Sequence, residues 1–229
     1  LRRTQGLDAA LAVARCSSIV GFVATSNVEA ARRYELTPAG TMAHSYIESF
    51  ASEKDAFRTF ARDFPNRTTF LVDTFDTLNG VRTAIEVIEE LGLSENLAVR
   101  LDSGDLDELS RAARTILDEA GHPNVRIFVS GGLDELEIHR LVRDGAPIDA
   151  FGVGTRMGVS ADAPSLDSAY KLVEYDGRPI MKLSEHKVTE PGRKQVFRGD
   201  DGDVVGLRDE HLVDGREPLL VPVMRGGHR

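Results

Sequence analysis

The sequence predicts an α/β protein: an irregular, TIM-like parallel α/β barrel with a smaller β-rich part appended. Three observations carry this reading. Short apolar, β-branched runs alternate with amphipathic helical stretches from Thr68 to Gly154. Gly92, Gly121 and Gly145 stand where those helices should stop. After Met157 the texture changes to hairpin patterns with tight-turn residues.

In chain order, Leu7 to Cys16 reads as a helix with Cys16 on its core face, and Ile19 to Ala24 reads as a buried strand. Met42 to Phe64 reads as mostly helical, with Phe50, Phe57, Phe60 and Phe64 as core anchors. Strands are expected at Thr69–Asp73, Leu97–Asp102, Arg126–Ser130 and Ala150–Gly154. Helices are expected between them, at Thr77–Leu91, Asp105–Ala120 and Leu133–Arg143, which is the rhythm of parallel βα units. Tyr170–Tyr175 and Pro179–Leu183 flank Asp176-Gly177-Arg178 as a hairpin with a type I′ turn. A second hairpin joins Lys194–Arg198 to Val204–Leu207 around Gly199–Gly202. The expected division is therefore 1–164, the barrel core with the active site, and 165–229, a β-rich segment of a second domain.

Composition narrows the function classes. The 229 residues are 41% hydrophobic and 28% charged, which is ordinary for a globular domain and excludes a disordered or collagenous chain. A net charge of -9 argues against nonspecific nucleic-acid binding. No apolar stretch is long enough for a membrane span. The single cysteine forbids an internal disulfide and a thiolate zinc cage, and a reduced, cytoplasmic compartment is expected. The opening Leu1-Arg2-Arg3-Thr4-Gln5-Gly6, without an initiator Met, reads as the interior of a longer polypeptide.

In parallel βα barrels the reactive groups gather where strands end. Those ends carry Asp73 and Asp76, then Arg100, Asp102, Ser103 and Gly104, then Gly131-Gly132, then Gly154-Thr155. The two glycine-rich turns let backbone N–H groups approach an oxyanion, and they follow successive strands, where barrels often hold phosphate. Arg100 and Asp102 lie two apart on a strand and so share a face. They suit an anionic ring and sugar hydroxyls, or an ion pair capping the core, and residue types alone do not choose. Carboxylates beside a phosphate site suit a phosphosugar with magnesium. A lone histidine is usually structural, but the Gly40-Thr41 turn ahead of a helical run suits aiming His44 at a pocket. Lys182, His186, Lys187, Arg193 and Lys194 read as a solvated face, with an anion-facing strip as the alternative.

Six segments, in order, then carry a resemblance: Thr25-Ser26-Asn27-Val28, Gly40 to Ser45, Leu71 to Thr77, Val99 to Asp105, Ser130 to Leu133 and Phe151 to Thr155. Lys182-Leu183-Ser184 and Pro191 to Val196 fit as well. Together they closely resemble the nicotinate phosphoribosyltransferase family over nearly the whole chain. The resemblance implies a type II phosphoribosyltransferase, an irregular α/β barrel with a second domain built from chain termini. Such enzymes join nicotinate to 5-phosphoribosyl 1-pyrophosphate, with magnesium, and couple the reaction to ATP hydrolysis.

Carried over residue by residue, the phosphorylated histidine falls on His44, and the nicotinate contacts on Thr41 and Arg100. The ribose carboxylate falls on Asp102, with Ser103 and Gly104 beside it among the substrate-binding residues. The sugar-phosphate contact falls on Thr155, with Gly131, Gly132 and Gly154 around it. Arg2 matches an arginine near the pyrophosphate and ring. Ser26 is uncharged where nicotinamide-specific relatives place an acidic residue, which favours nicotinate. The family also implies a homodimer with shared active sites, each ring stacked by an aromatic from a domain that precedes the position of Arg2. Two further readings stand beside this one. The chain could be a noncatalytic or complementing fragment. It could instead be a phosphosugar aldolase or isomerase, which would want a lysine or glutamate at a strand end that these ends lack.

Overall fold

The computed structural model describes residues 4–160, 170–184, 187–210 and 215–229. It divides into two compact units, Leu1–Lys171 with Lys182–Val188, and Leu172–Met181 with Thr189–Arg229.

The first unit opens with helices α1 (Leu7–Ile19), α2 (Val28–Tyr34), α3 (His44–Glu48) and α4 (Glu53–Asp63). Four βα units follow: β1 (Thr69–Leu71), α5 (Thr77–Leu91), β2 (Ala98–Leu101), α6 (Leu106–Glu119), β3 (Arg126–Ser130), α7 (Glu135–Arg143), β4 (Ala150–Gly152) and α8 (Thr155–Gly158). The strands pair in parallel in the order β1-β2-β3-β4, an open sheet among the described residues. Each long helix starts on an acidic cap at its strand's exit. Asp76 accepts from Asn79 N, Asp105 from Asp107 N and Glu108 N, and Asp134 from Glu137 N. Each cap satisfies backbone donors that the helix leaves unpaired, worth about 1 kcal/mol. Gly92 ends α5 in the left-handed conformation at φ 63.

The core is what near-continuous apolar strands demand. Phe70, Leu71, Val99, Leu101, Ile127 and Val129 are all buried, with Phe57 of α4 against Phe70 at 5.2 Å between ring centroids. A Cβ on Gly80 would overlap the Val72 carbonyl, so this glycine lets α5 lie directly on the end of β1.

Three expectations fail here. Ile19–Ala24 is not a buried strand: Ile19, Val20 and Val23 are 72%, 75% and 91% exposed. The helix carries on to Ile19, Val20 N still bonds to Cys16 O, and Gly21 turns the chain at φ 99. The apolar run therefore meets no strand, and the one pairing nearby is an isolated bridge from Thr25 to Pro38. Cys16 is exposed rather than in the core. Met42–Phe64 is mostly helical as expected, with Phe57 buried and Phe50 and Phe60 packed on the core, but Phe64 is 40% exposed and is no core anchor.

The second unit carries a short hairpin, β5 (Glu174–Tyr175) and β6 (Arg178–Pro179), and a three-stranded antiparallel sheet. The hairpin turn has Asp176 at φ 50 and Gly177 at φ 71, the pair of positive angles that type I′ requires. In the sheet, β7 (Lys194–Gly199) lies between β8 (Gly202–Leu207) and β9 (Glu217–Pro218). The buried Gln195 amide exchanges hydrogen bonds with the backbone of Leu220, at 3.0 and 2.8 Å, and extends that edge beyond β9.

Candidate active site

The carboxyl ends of β1, β2 and β3 bring a dense polar cluster together. Parallel register sets Leu71 against Arg100 and Arg100 against Phe128, so the residues just beyond exit on one edge. Arg100 is the hub. Its Nε donates to Ser130 Oγ at 2.8 Å, Nη1 to Thr41 Oγ1 at 2.7 Å and Nη2 to Asp102 Oδ1 at 2.8 Å. Ser130 in turn donates to the same Asp102 oxygen at 2.6 Å. The side chains of Arg100 and Asp102 keep 22% and 18% exposure, so the ion pair is made and still faces outward.

Asp73 forms the floor. It is buried, and its Oδ2 accepts from Asp102 N at 3.2 Å and from the Ser103 hydroxyl. His44 opens α3, with Nδ1 3.1 Å from Thr74 Oγ1. Its Nε2 faces two carboxylates, Asp102 Oδ2 at 3.7 Å and Asp73 Oδ1 at 4.0 Å, both beyond hydrogen-bond length. Among the described residues His44 Nε2, Asp73 Oδ1 and Glu53 Oε1 are buried without a hydrogen-bond partner. Unpaired polar atoms gathered at one edge of a sheet point to a functional site rather than to plain core packing.

Charge follows from this packing. Burial pushes Asp102 up, but His44, Arg100, Ser130 and Lys187 outweigh it and hold the carboxyl well below the usual range. Asp102 is therefore a carboxylate throughout the neutral range. Glu53 goes the other way: burial, then the charges of Asp73 and Asp76, push it up to about 8. Lys182 is brought down to about 8 chiefly by burial, against the pull of Asp73.

Sequence reasoning named Thr41, His44, Arg100, Asp102 and Ser103, and the fold brings all five together with Asp73. Gly131 belongs with them, because a Cβ there would strike the Asp102 carbonyl. Gly104, at φ 78, turns the chain into α6. Gly132 and Gly154 have open space where a Cβ would be, and Thr155 is exposed. These turns follow the paired ends of β3 and β4, Ser130 beside Gly152, and no hydrogen bond ties them to the Arg100 cluster among the described residues. Asp76 caps α5. Arg2 and His186 lie outside the described residues.

One reading is overturned: Lys182 and Lys187 are not a solvated face. Lys182 is 2% exposed, and Lys187 Nζ donates to the Asp102 carbonyl and to its Oδ2 at 3.2 Å. Arg193 and Lys194 behave otherwise, pairing with Glu174 at 2.7 Å and with the Gly192 carbonyl at 2.9 Å. The sequence reading placed Thr74 and Ser130 at strand ends, and Ser184 within the resemblance, without giving them a role, and it missed Glu53.

Comparison with known proteins matches this arrangement to one family. The family model of nicotinate phosphoribosyltransferase (NAPRTase) matches residues 1–208. A nicotinate phosphoribosyltransferase of Mycobacterium tuberculosis is 53% identical over 234 aligned positions, covering 100% of this chain and 50% of the relative. One from Bacillus subtilis is 42% identical, covering 93% of this chain and 46% of its own length. The crystal structure of a nicotinate-nucleotide pyrophosphorylase from Pyrococcus furiosus superposes with TM-score 0.60 at 30% identity, covering 98% of this chain and 58% of that one. The chain thus spans about half the length of the curated relatives it matches. With the motifs in order and the profile matching nine-tenths of its length, the chain belongs to the nicotinate phosphoribosyltransferase family.

Proposed function

We propose that the protein containing this chain transfers the 5-phosphoribosyl group from 5-phosphoribosyl 1-pyrophosphate to nicotinate, in NAD salvage, with ATP as coupled co-substrate. The observation that carries this reading is Arg100, a guanidinium fixed on three sides at a strand mouth beside a permanently ionised Asp102. A fixed cation with donors still facing outward suits the flat carboxylate of a pyridine ring, and Thr41 beside it adds a hydroxyl.

In the transfer the anomeric C–O bond to pyrophosphate breaks and the pyridine nitrogen bonds to that carbon, which gathers positive charge on the way. Asp102 is suited to hold the ribose hydroxyls and oppose that charge. Gly131, Gly132, Gly154 and Thr155 offer bare backbone and a hydroxyl to the 5-phosphate. Magnesium enters in this reading as the salt of the pyrophosphate substrate. For coupling, Nδ1 of His44 is held at Thr74, and Nε2 is free to take the γ-phosphoryl of ATP as the bond to ADP breaks. Arg2 would complete the pyrophosphate side.

The sheet order, each strand added beside the last, suits one wall of the irregular barrel. Nicotinate rather than nicotinamide follows from the cationic Arg100 and the uncharged Ser26. A homodimer with shared sites and a reduced, cytoplasmic setting complete the reading; among the described residues no helix is long and apolar enough to cross a membrane. The test is formation of nicotinate mononucleotide by this chain, alone and joined to the other half of a relative. Product from the joined protein supports the assignment, and a preference for nicotinamide in a mixed-substrate assay would sink it. Turnover by the chain alone would remove the fragment reading.

A further inference from the structure

The segment 182–188 returns to the first unit although second-unit residues flank it in sequence, and two of its polar side chains, Lys182 and Ser184, are each 2% exposed. Its hydrogen bonds converge on the residues around His44. β1 pairs with β2 only as far as Leu71, followed by one bond from Val72 N to Arg100 O at 3.2 Å. The next two carbonyls along the chain are met by the returning segment. Ser184 Oγ donates to Asp73 O, and Leu183 N donates to Thr74 O at 3.1 Å. Lys187 N closes a turn onto Ser184 O at 3.0 Å, and its Nζ reaches the carbonyl and carboxylate of Asp102.

Asp73, Thr74 and Asp102 are the three residues that surround the His44 imidazole: Thr74 at Nδ1, Asp102 and Asp73 opposite Nε2. The backbone of each is thus held by one short segment more than 100 residues later in the chain for Asp73 and Thr74, and 85 later for Asp102.

We propose that Lys182-Leu183-Ser184, with Lys187, form a clip that positions His44, with Ser184 as its positioning residue, acting through the backbone of Asp73 and Thr74. The reasoning is geometric. Thr74 Oγ1 can meet Nδ1 only while its own backbone stays where the clip pins it. Past the end of strand pairing, the Asp73 carboxylate is tied to Asp102 N and Ser103, while the Asp73 and Thr74 carbonyls are met by Ser184 and Leu183. With the clip in place, the imidazole keeps one ring orientation and one hydroxyl partner at Nδ1. A serine that merely satisfied a stray carbonyl would stabilise the fold equally well but would leave the imidazole indifferent to its loss. The consequence for catalysis rests on the proposed role of His44; the positioning itself does not.

The experiment reads the ring nitrogens of His44 directly. Nitrogen-detected imidazole spectra of the full chain, with His44 assigned by its loss in His44→Asn, give the tautomer ratio in wild type, Ser184→Ala and Ser184→Thr. Ser184→Ala is expected to shift that ratio by roughly two- to tenfold, the worth of one hydrogen bond. Ser184→Thr keeps the hydroxyl and should restore it. An unmoved ratio in Ser184→Ala, even with a lowered Tm, overturns the proposal. If that variant does not fold, Ser184→Cys, a weaker donor of similar size, is read by the same criterion. If the ratio shifts but wild-type protein takes no phosphate from ATP, the clip stands and the coupling role of His44 falls.

Discussion

The two halves of the sheet's carboxyl edge are built by opposite means. Around β1 and β2, side chains do the work: Arg100, Asp102, Asp73 and Thr41 interlock with one another and with Ser130 at the end of β3. Beyond β3 and β4 the edge is more open, with space where a Cβ on Gly132 or Gly154 would be and with Thr155 exposed. A planar carboxylate and a ribose need directional groups at fixed positions, which must be held in advance. A phosphate needs only room and several N–H donors, and glycine supplies both. The contrast predicts that one half of the edge is costly to alter and the other tolerant.

The largest expected effect is at His44. His44→Asn should abolish ATP stimulation and the acid-labile phosphoenzyme while slow, uncoupled synthesis remains, measured with labelled ATP and a product assay. A surviving acid-labile label would move the phosphoacceptor elsewhere.

The glycines sharpen the contrast. Gly131 sits at φ 96, and a Cβ there meets the Asp102 carbonyl, so Gly131→Ala should cost the fold roughly 1–3 kcal/mol and disturb Asp102. Gly154, with open space around it, should accept alanine with an unchanged Tm and only a weakened hold on the 5-phosphate. Thermal unfolding of the two variants side by side decides this. Equal losses would mean that the β4 edge is as tightly built as the β2 edge.

The smallest effect is a pH slope. Glu53, at about 8 in the folded protein against an ordinary 4.5, binds an extra proton in the native state between those values. Its contribution therefore turns unfavourable as pH rises from about 4.5 to 8. Glu53→Gln should melt a few degrees above wild type at about pH 8.5 and level with it near pH 4. A gap that is flat with pH would contradict the buried, protonated Glu53.

The same divide governs what could be read from the sequence. Local signals were legible. The helix from Thr77 to Leu91 has the bounds its apolar spacing and following glycine imply, and the Asp176-Gly177 turn is type I′. Arg100 and Asp102 share a face because strands alternate, and the ion pair between them is one of the two readings their residue types left open. The Ile19–Ala24 run misled because its apolar residues imitate a strand while the helix before it simply runs on. Lys187 and Ser184 were opaque for a different reason. Their partners lie 85 and 111 residues away, and no periodicity records a contact that only the fold creates.

The central claim is that the pre-built half of the edge recognises the carboxylate of nicotinate through Arg100. Steady-state titration of nicotinate in the protein that forms product, wild type against Arg100→Ala and Arg100→Lys, tests it most directly. Loss of a charge-assisted, two-pronged contact of roughly 3 kcal/mol should raise the nicotinate KM on the order of a hundredfold in Arg100→Ala. Lysine, lacking the planar fork, should recover only part of it. An Arg100→Ala enzyme with wild-type nicotinate dependence would contradict the account and leave Arg100 as a structural ion pair.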